Sequence, residues 1–506
     1  MNRRTGRLVQ GLAGAAAMIA LVNVASRIVG FVRYLVLASE VGPNALGTAY
    51  GTANTLPNVL FEVVAGGALA GAVVPLVAAP LARSMRGDVD RTASALLGWA
   101  LAVLVPLAAL VALFSHQIVA VIGEMVTLIG GTAGPVDVAG TLLATFALQI
   151  PLYGLGVVLT GVLQAQRRFL AAAMAPLLNS LVVIAVLLVF GRIVTQGRDD
   201  PEVIAHSAIL LLGWGTTAGV AVMSLPLLLP VHRTGVRLRP TLRFPPGVAG
   251  QARALAFSGL GTLVAQQISV VVAMTLAIGH GGASAFPVWQ YTQAVYFLPY
   301  AVLAYPLATA TLPHLAERAA HDDRPGFARL AASTTRAVLL VSAAGAAALI
   351  AVAPAIQDVF AGIADGSVEG MAAALTWMAP GLLGFALVLH LTRALYALHR
   401  GRTAVVATAS GWLAVAGAAV LAVTLTTGDT VDAVTTLRGL GLASSVGMLI
   451  AGAALVTGVV LAAGRAAVAG VARTTLVLVV GGLLGAVAGR VAADAVLSSG
   501  GHDGFV

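Results

Sequence analysis

The chain is 506 residues long, 59% hydrophobic and only 9% charged, with a mean hydropathy of +0.98, a composition outside the range of soluble globular domains. It has no cysteine and no lysine, so all 28 basic residues are arginine; disulfides, thiolate chemistry, cysteine-bound metals and a lysine-dependent phosphate loop are excluded. The formal charge of +9 would suit nucleic acid, but its distribution is that of a membrane-insertion signal.

Thirteen apolar stretches follow one another, at roughly 8–38, 45–80, 92–114, 138–163, 169–190, 207–230, 254–279, 287–312, 331–353, 371–397, 403–426, 437–462 and 474–497. A helix crosses a hydrocarbon core of about 30 Å in about 20 residues, so the pattern predicts an all-α polytopic membrane protein with 13 or 14 spans. A transmembrane barrel would alternate polar and apolar residues instead. With the N-terminus in the cytoplasm, 22 of the 28 arginines fall in cytoplasmic ends and loops. Three (Arg192, Arg198 and Arg438) fall outside, and three (Arg27, Arg33 and Arg490) fall within apolar stretches. This bias predicts a multi-pass plasma-membrane protein with a cytoplasmic N-terminus and the tail "SSGGHDGFV" outside. The opening "MNRRTGRLVQGLAGAAAMIALVNVAS" reads as a retained first helix, not a cleaved leader. Nucleic-acid binding is not expected, and the loops are too short for a soluble catalytic domain.

The first stretch contains "SRIVGFVRY", with Arg27 and Arg33 six residues apart, or about 120° around and 9 Å along a helix. A charge at mid-bilayer costs at least about 2.5–3.5 kcal/mol on insertion scales and usually faces a wet cavity or a partner. The second stretch, "LPNVLFEVVAGGALAGAVVPLVA", puts Glu62 near the bilayer centre between Pro57 and Pro75. Two readings stay open. One arginine pairs with Glu62 and pins the first helix to the second, or at least one faces a cavity, where its planar fork suits phosphate. Gly67 and Gly71, like Gly485 and Gly489, have GxxxG spacing and predict close helix packing.

Further along, "IPLYGLGVVLTGVLQAQRRF" in the fourth stretch parallels "APGLLGFALVLHLTRALYALHRGR" in the tenth, with Pro151 and Pro380 near their starts. The eighth, "LPYAVLAYPLATATLPHLAER", parallels the second. Both pairs are six stretches apart, which predicts two pseudo-symmetric six-helix lobes of the same orientation with a substrate site between them. The expected division is 1–232, 233–464, and a C-terminal addition of one or two helices at 465–506. Pro57, Pro75, Pro299, Pro306 and Pro313 remove backbone donors and kink or hinge their helices. His390 and Arg393 lie near the end of the tenth stretch, where snorkelling is expected. Arg490 and Asp494 are spaced to pair locally, and most of Gln149, Gln164, Gln266, Gln267, Gln290 and Gln293 are expected to join helices. No metal-ligand spacing and no nucleophile–base pair occurs, so neither an enzyme nor a cofactor is expected.

"SRIVGFVRYLVLASEVG", "ANTLPNVLFEVVAGGALAGAVVPLVA", "LQAQRRFLAAAMAPLLNS" and "WQYTQAVYFLPYAVLAYPLATATLPHL" together resemble the MurJ/MviN lipid II flippases of bacteria, within the multidrug/oligosaccharidyl-lipid/polysaccharide exporter superfamily. The resemblance implies two six-helix lobes around a central cavity, a lipid-linked diphosphate-sugar substrate and contact with membrane lipid and cell-wall synthesis proteins. It implies that Arg27 and Arg33 bind the diphosphate. It also marks departures: relatives carry arginines where this chain has Phe61 and Glu62. They carry an arginine and a glutamate where it has Ala294 and Phe297, and an acid where it has Thr48. Glu62 then becomes a candidate ion, proton or ion-pair site. The alternatives are an exporter of another lipid-linked glycan or small molecule, and a transport-inactive scaffold for cell-wall synthesis.

Overall fold

The computed structural model describes residues 3–132, 134–427 and 430–499, and no strand occurs among the described residues. In hydrocarbon every backbone N–H and C=O must be satisfied within its own segment, and the helix is the form that does so. The chain packs as two compact units. The first comprises Met1–Val41, Ala49–Val121 and Pro135–Leu260; the second comprises Gly42–Thr48, Ile122–Gly134 and Gly261–Val506.

The first eleven helices are α1 (Arg3–Glu40), α2 (Ala45–Phe61), α3 (Gly67–Ala82), α4 (Arg86–Leu113), α5 (Ser115–Leu128), α6 (Val136–Phe146), α7 (Gln149–Ala165), α8 (Phe169–Ile193), α9 (His206–Ser224), α10 (Leu228–His232) and α11 (Val248–Ser258). In the first unit α7 packs against both α3 and α4, and α8 lies between α1 and α9. Glycine makes these approaches possible. A Cβ on Gly154 would lie 2.3 Å from Leu104 Cδ1 of α4, and one on Gly161 would lie 2.5 Å from Val73 Cγ1 of α3. The arginine-bearing loop after α10 is strapped along α4. Trp99 Nε1 donates to Leu242 O at 3.0 Å, and the Arg239 amide donates to Ser94 Oγ at 2.9 Å. Residues 233–260 therefore pack with the first unit.

The remaining helices are α12 (Leu260–Gly281), α13 (Ala285–Pro299), α14 (Tyr305–Ala320), α15 (Arg324–Ile363), α16 (Met371–Met378), α17 (Gly381–Ala397), α18 (Gly401–Thr427), α19 (Ala433–Ala463) and α20 (Val471–Ser499). In the second unit α19 packs against α16, α17 and α18, and α20 packs on α15. The C-terminal addition expected at 465–506 is thus part of the second unit. Gly489 sits against Ala351, whose Cβ would be 2.7 Å from an added Cβ, whereas Gly71 and Gly485 face open space. Arg490 Nη1 donates to Ile350 O at 3.2 Å. The expected partner side chain, Asp494, lies outside the described residues, as do the surroundings of Gly67.

Among the described residues ten helices are long and apolar enough to cross a membrane, or twelve if each of two bent pairs is one span. These match twelve of the thirteen predicted stretches; the second stretch folds as α2 and α3 and is not among them. The structure also adds α5, a helix where the sequence suggested only a connecting loop.

The repeats differ in sequence but share their breaks. Pro57 lies inside α2, where it leaves the Ala53 carbonyl without its helical donor, and a π turn at Glu62–Gly66 separates α2 from α3. Pro299 ends α13, a π turn follows at Tyr300–Ala304, and the helix bends by 45°. Pro306 falls in the first turn of α14, where a missing donor is tolerated, and Pro75 sits inside α3. The fourth stretch breaks between α6 and α7 and the tenth between α16 and α17, each across two residues. All four non-glycine residues with positive φ, among those described, fall at matching helix ends: Ser84 (60°) and Asp322 (52°), Arg167 (61°) and His399 (56°). Each is followed by an amide that bonds five residues back: Met85 to Pro80, Arg168 to Leu163, Asp323 to Arg318 and Arg400 to Leu395. This is the Schellman closure of a helix. Because β-branched residues resist positive φ, Arg167→Val and His399→Val are each expected to lower stability, by about 1–2 kcal/mol, read as a drop in thermal midpoint. Valine at the exposed helical position Arg402 should leave the midpoint within about 0.5 kcal/mol.

Candidate functional site

The first unit assembles a polar seam inside its apolar helices. Arg33 on α1 is half-buried, and its guanidinium lies 5.3 Å from the centre of the Tyr34 ring, a cation–π arrangement. Its charge also reaches the phenols of Tyr50 on α2 and Tyr153 on α7. Tyr153 hydrogen-bonds with Asn58 and donates to Gln149 Oε1 at 3.1 Å. Gln149 Nε2 donates to Thr217 Oγ1 at 3.2 Å, and Thr217 donates to the Thr145 carbonyl at 2.9 Å. Tyr50 Oη and Thr216 Oγ1 are 3.2 Å apart. The seam thus runs through α1, α2, α6, α7 and α9, with a cation at one end. Gln149, expected to join helices, does so while fully buried.

Arg27 is exposed on α1. Glu62 is half-buried and opens the π turn of the second stretch. Gly66 makes room for it: a Cβ there would lie 2.4 Å from Glu62 Oε2. Among the described residues Glu62 has no hydrogen bond or ion pair, so the structure does not join it to Arg27 or Arg33. Of the two readings left open by the sequence, the one that pins α1 to α2 by an ion pair is therefore absent. Phe61 is buried, with its ring centre 5.3 Å from that of Tyr153 and the two planes tilted by 38°.

The second unit gathers aromatic rings. Phe297 lies 5.3 Å from Phe385 and 6.4 Å from Tyr300, and Tyr300 lies 4.7 Å from Phe385. Thr48 donates to the Ala283 carbonyl. His390 does not snorkel: it is buried, with Nε2 2.9 Å from Thr334 Oγ1. Arg393 is half-buried over the Tyr305 ring, 5.7 Å from its centre. No group of three or more potential metal ligands occurs among the described residues.

The sequence profile of the family described as "Lipid II flippase MurJ" matches residues 37–493. The chain belongs to this family. The matched stretch contains Glu62, both π turns and all four Schellman closures; Arg27 and Arg33 precede it. The chain is 27% identical over 332 residues to a probable lipid II flippase MurJ of Rhizobium meliloti, covering 64% of this chain and 58% of that one. It is 26% identical over 298 residues to one of Rhizobium tropici, covering 58% and 52%. The chain therefore spans little more than half the length of these curated relatives. Among solved structures, a lipid II flippase MurJ in an inward closed conformation aligns with a TM-score of 0.69 at 17% identity, covering 94% of this chain and 98% of the other. An inward-facing multidrug resistance MATE family transporter aligns at 0.67 and 16%, covering 90% and 99%. These likenesses show the shared fold.

Arg27, Arg33 and Glu62 were visible in the sequence as charges in apolar runs. Tyr50, Asn58 and Tyr153 were not singled out, because a tyrosine or asparagine in a helix carries no sign of which neighbour it meets. Gln149→Leu removes the link between Tyr153 and Thr217 and leaves buried polar atoms unpaired. It is expected to lower stability by about 1–3 kcal/mol, measured as a fall in thermal midpoint, while Gln266→Leu, partly exposed at its helix surface, changes it far less.

Proposed function

We propose that this chain is a lipid II flippase of the bacterial plasma membrane, with its N-terminus in the cytoplasm. It carries the diphosphate-sugar headgroup from the inner to the outer leaflet by alternating access while the polyprenyl tail stays in lipid. The observation that carries this reading is a member of the MurJ family whose first helix presents Arg27 and Arg33 with no carboxylate partner among the described residues. A guanidinium left without an anion deep in an apolar segment is a site for one, and its paired donors match phosphate oxygens. The tyrosines within reach of the Arg33 charge, and Asn58 bonded to Tyr153, add hydroxyl and amide groups suited to a sugar-phosphate. Cell-wall synthesis proteins are the partners that such a substrate implies.

The second reading, export of a different lipid-linked glycan or a small molecule, is favoured by Phe61 and the Phe297–Tyr300–Phe385 cluster, which offer apolar contact where relatives place charge. A transport-inactive scaffold is the third. Depletion of the protein, followed by assay of lipid II on each leaflet, separates them. The flippase reading expects lipid II to accumulate on the inner leaflet, and an unchanged distribution rejects it. Arg27→Ala and Arg33→Ala should each reduce complementation roughly tenfold or more, the worth of one or two charge-assisted hydrogen bonds. Full rescue by the double variant rejects the arginine mechanism and leaves the flippase reading standing.

The family match supplies no energy source, and the absence of lysine excludes a Walker-type nucleotide site. We assign Glu62 the role of coupling carboxylate for a proton or metal cation. Its position at the opening of a π turn, free of hydrogen bonds among the described residues, supports this. Glu62→Gln is expected to abolish the dependence of headgroup movement on an imposed proton or cation gradient in proteoliposomes. An unaltered dependence removes Glu62 from the mechanism.

A further inference from the structure

The second unit contains a pocket of about 600 Å³ where the end of α14, the first turns of α15 and the connection from α19 to α20 meet. Its walls include Arg318, Arg329, Ser333, Arg336 and Gly470. None of these residues belongs to the transport reading above. The arginine bias places this end of the helices at the cytoplasmic face.

Nearby acids are already matched to other cations. Asp323 accepts from Arg318 at 2.5 Å and also caps α15 through the Gly326 amide. Asp322 lies 3.3 Å from Arg324, and Glu317 lies 4.0 Å from His314 Nδ1. Arg329 and Arg336 have no ion-pair partner among the described residues. Gly470, with φ of 75°, keeps the mouth open, since a Cβ there would stand 3.0 Å from Arg336 Nη1. Ser333 Oγ donates to the Leu330 carbonyl at 3.0 Å, so the pocket's available donors are the Arg329 and Arg336 guanidiniums. Neither is in an ion pair among the described residues, although Arg329 also feels the Asp323 carboxylate; two such forks suit a phosphate group.

The helix face that carries them continues into apolar surface. Arg329, Ser333, Arg336, Leu340, Ala344 and Ala348 fall on one stripe of α15, and each is exposed. The polar residues occupy the end at the membrane surface, and Leu340, 55% exposed, begins the part facing hydrocarbon. A soluble phosphate would use the arginines alone. A phospholipid uses both parts, headgroup at the arginines and acyl chain along the apolar continuation.

We infer that this pocket binds the phosphate headgroup of an anionic phospholipid of the inner leaflet. The test uses the purified full chain in neutral-detergent micelles, with unfolding followed by tryptophan fluorescence. Phosphatidylglycerol added to the micelles should raise the thermal midpoint by roughly 3 °C or more. Equal amounts of phosphatidylcholine or of inorganic phosphate should not. The rise should vanish in Arg329→Ala/Arg336→Ala and persist in Arg400→Ala/Arg402→Ala, which removes the same charge from another basic loop. Where the first double variant does not fold, Ser333→Glu places a negative charge on the same exposed face and should abolish the rise as well. An equal rise in the pocket variants, or an equal effect of phosphatidylcholine, overturns the proposal. A rise with inorganic phosphate equal to that with phosphatidylglycerol overturns the lipid as its source.

Discussion

A backbone in hydrocarbon must close its own hydrogen bonds, and the rest of this structure follows from how that closure is kept where proline breaks it. Pro57 and Pro299 each withdraw a donor from an apolar helix. The slack is taken up by π turns, five residues after Pro57 and directly after Pro299. A π turn widens the helix by one residue and turns out side chains that a regular helix would stack. In the first unit the side chain turned out at the opening of that turn is Glu62. The irregularity and the acid of the second apolar stretch are thus one feature.

Charge is distributed unequally between the units. The first keeps Arg33 beside three tyrosines and a buried amide–hydroxyl chain, with no carboxylate set against it. The second gathers aromatic rings around Tyr300 and pairs His390 with a threonine. Tyrosine next to an arginine stabilises the cation through ring and hydroxyl without neutralising it. Such an environment tolerates a guanidinium at depth and leaves its donors available.

Much of this architecture was legible in the apolar runs, since twenty residues of unbroken hydrocarbon side chains leave the helix as the main solution. The break at Pro299 could also be read, whereas Pro380 reads as the start of a helical stretch and not as a break within one. The π turn after Pro57 could not be placed, because proline specifies which bond is lost and not where the helix absorbs it. The helix Ser115–Leu128 was hidden by His116, Gln117 and Glu124, which read as loop. The attachment of residues 233–260 to the first unit depends on Trp99 and Ser94 meeting a loop some 140 residues away, and no local pattern carries that. For the site, single charges in apolar surroundings stood out by composition. Their neighbours did not, since Tyr50 and Tyr153 come from different helices and come within reach of the Arg33 charge only through packing.

The four left-handed helix ends have a consequence for how the two halves are related. Serine, arginine, aspartate and histidine occupy them, so no residue identity is shared. The sign of φ and the bond five residues back are shared in all four. What has been duplicated is a trajectory of the main chain, and the side chains have drifted over it. Internal symmetry in such a protein is therefore better sought in dihedral angles than in letters, and a comparison by residue identity alone would understate how alike the two halves are.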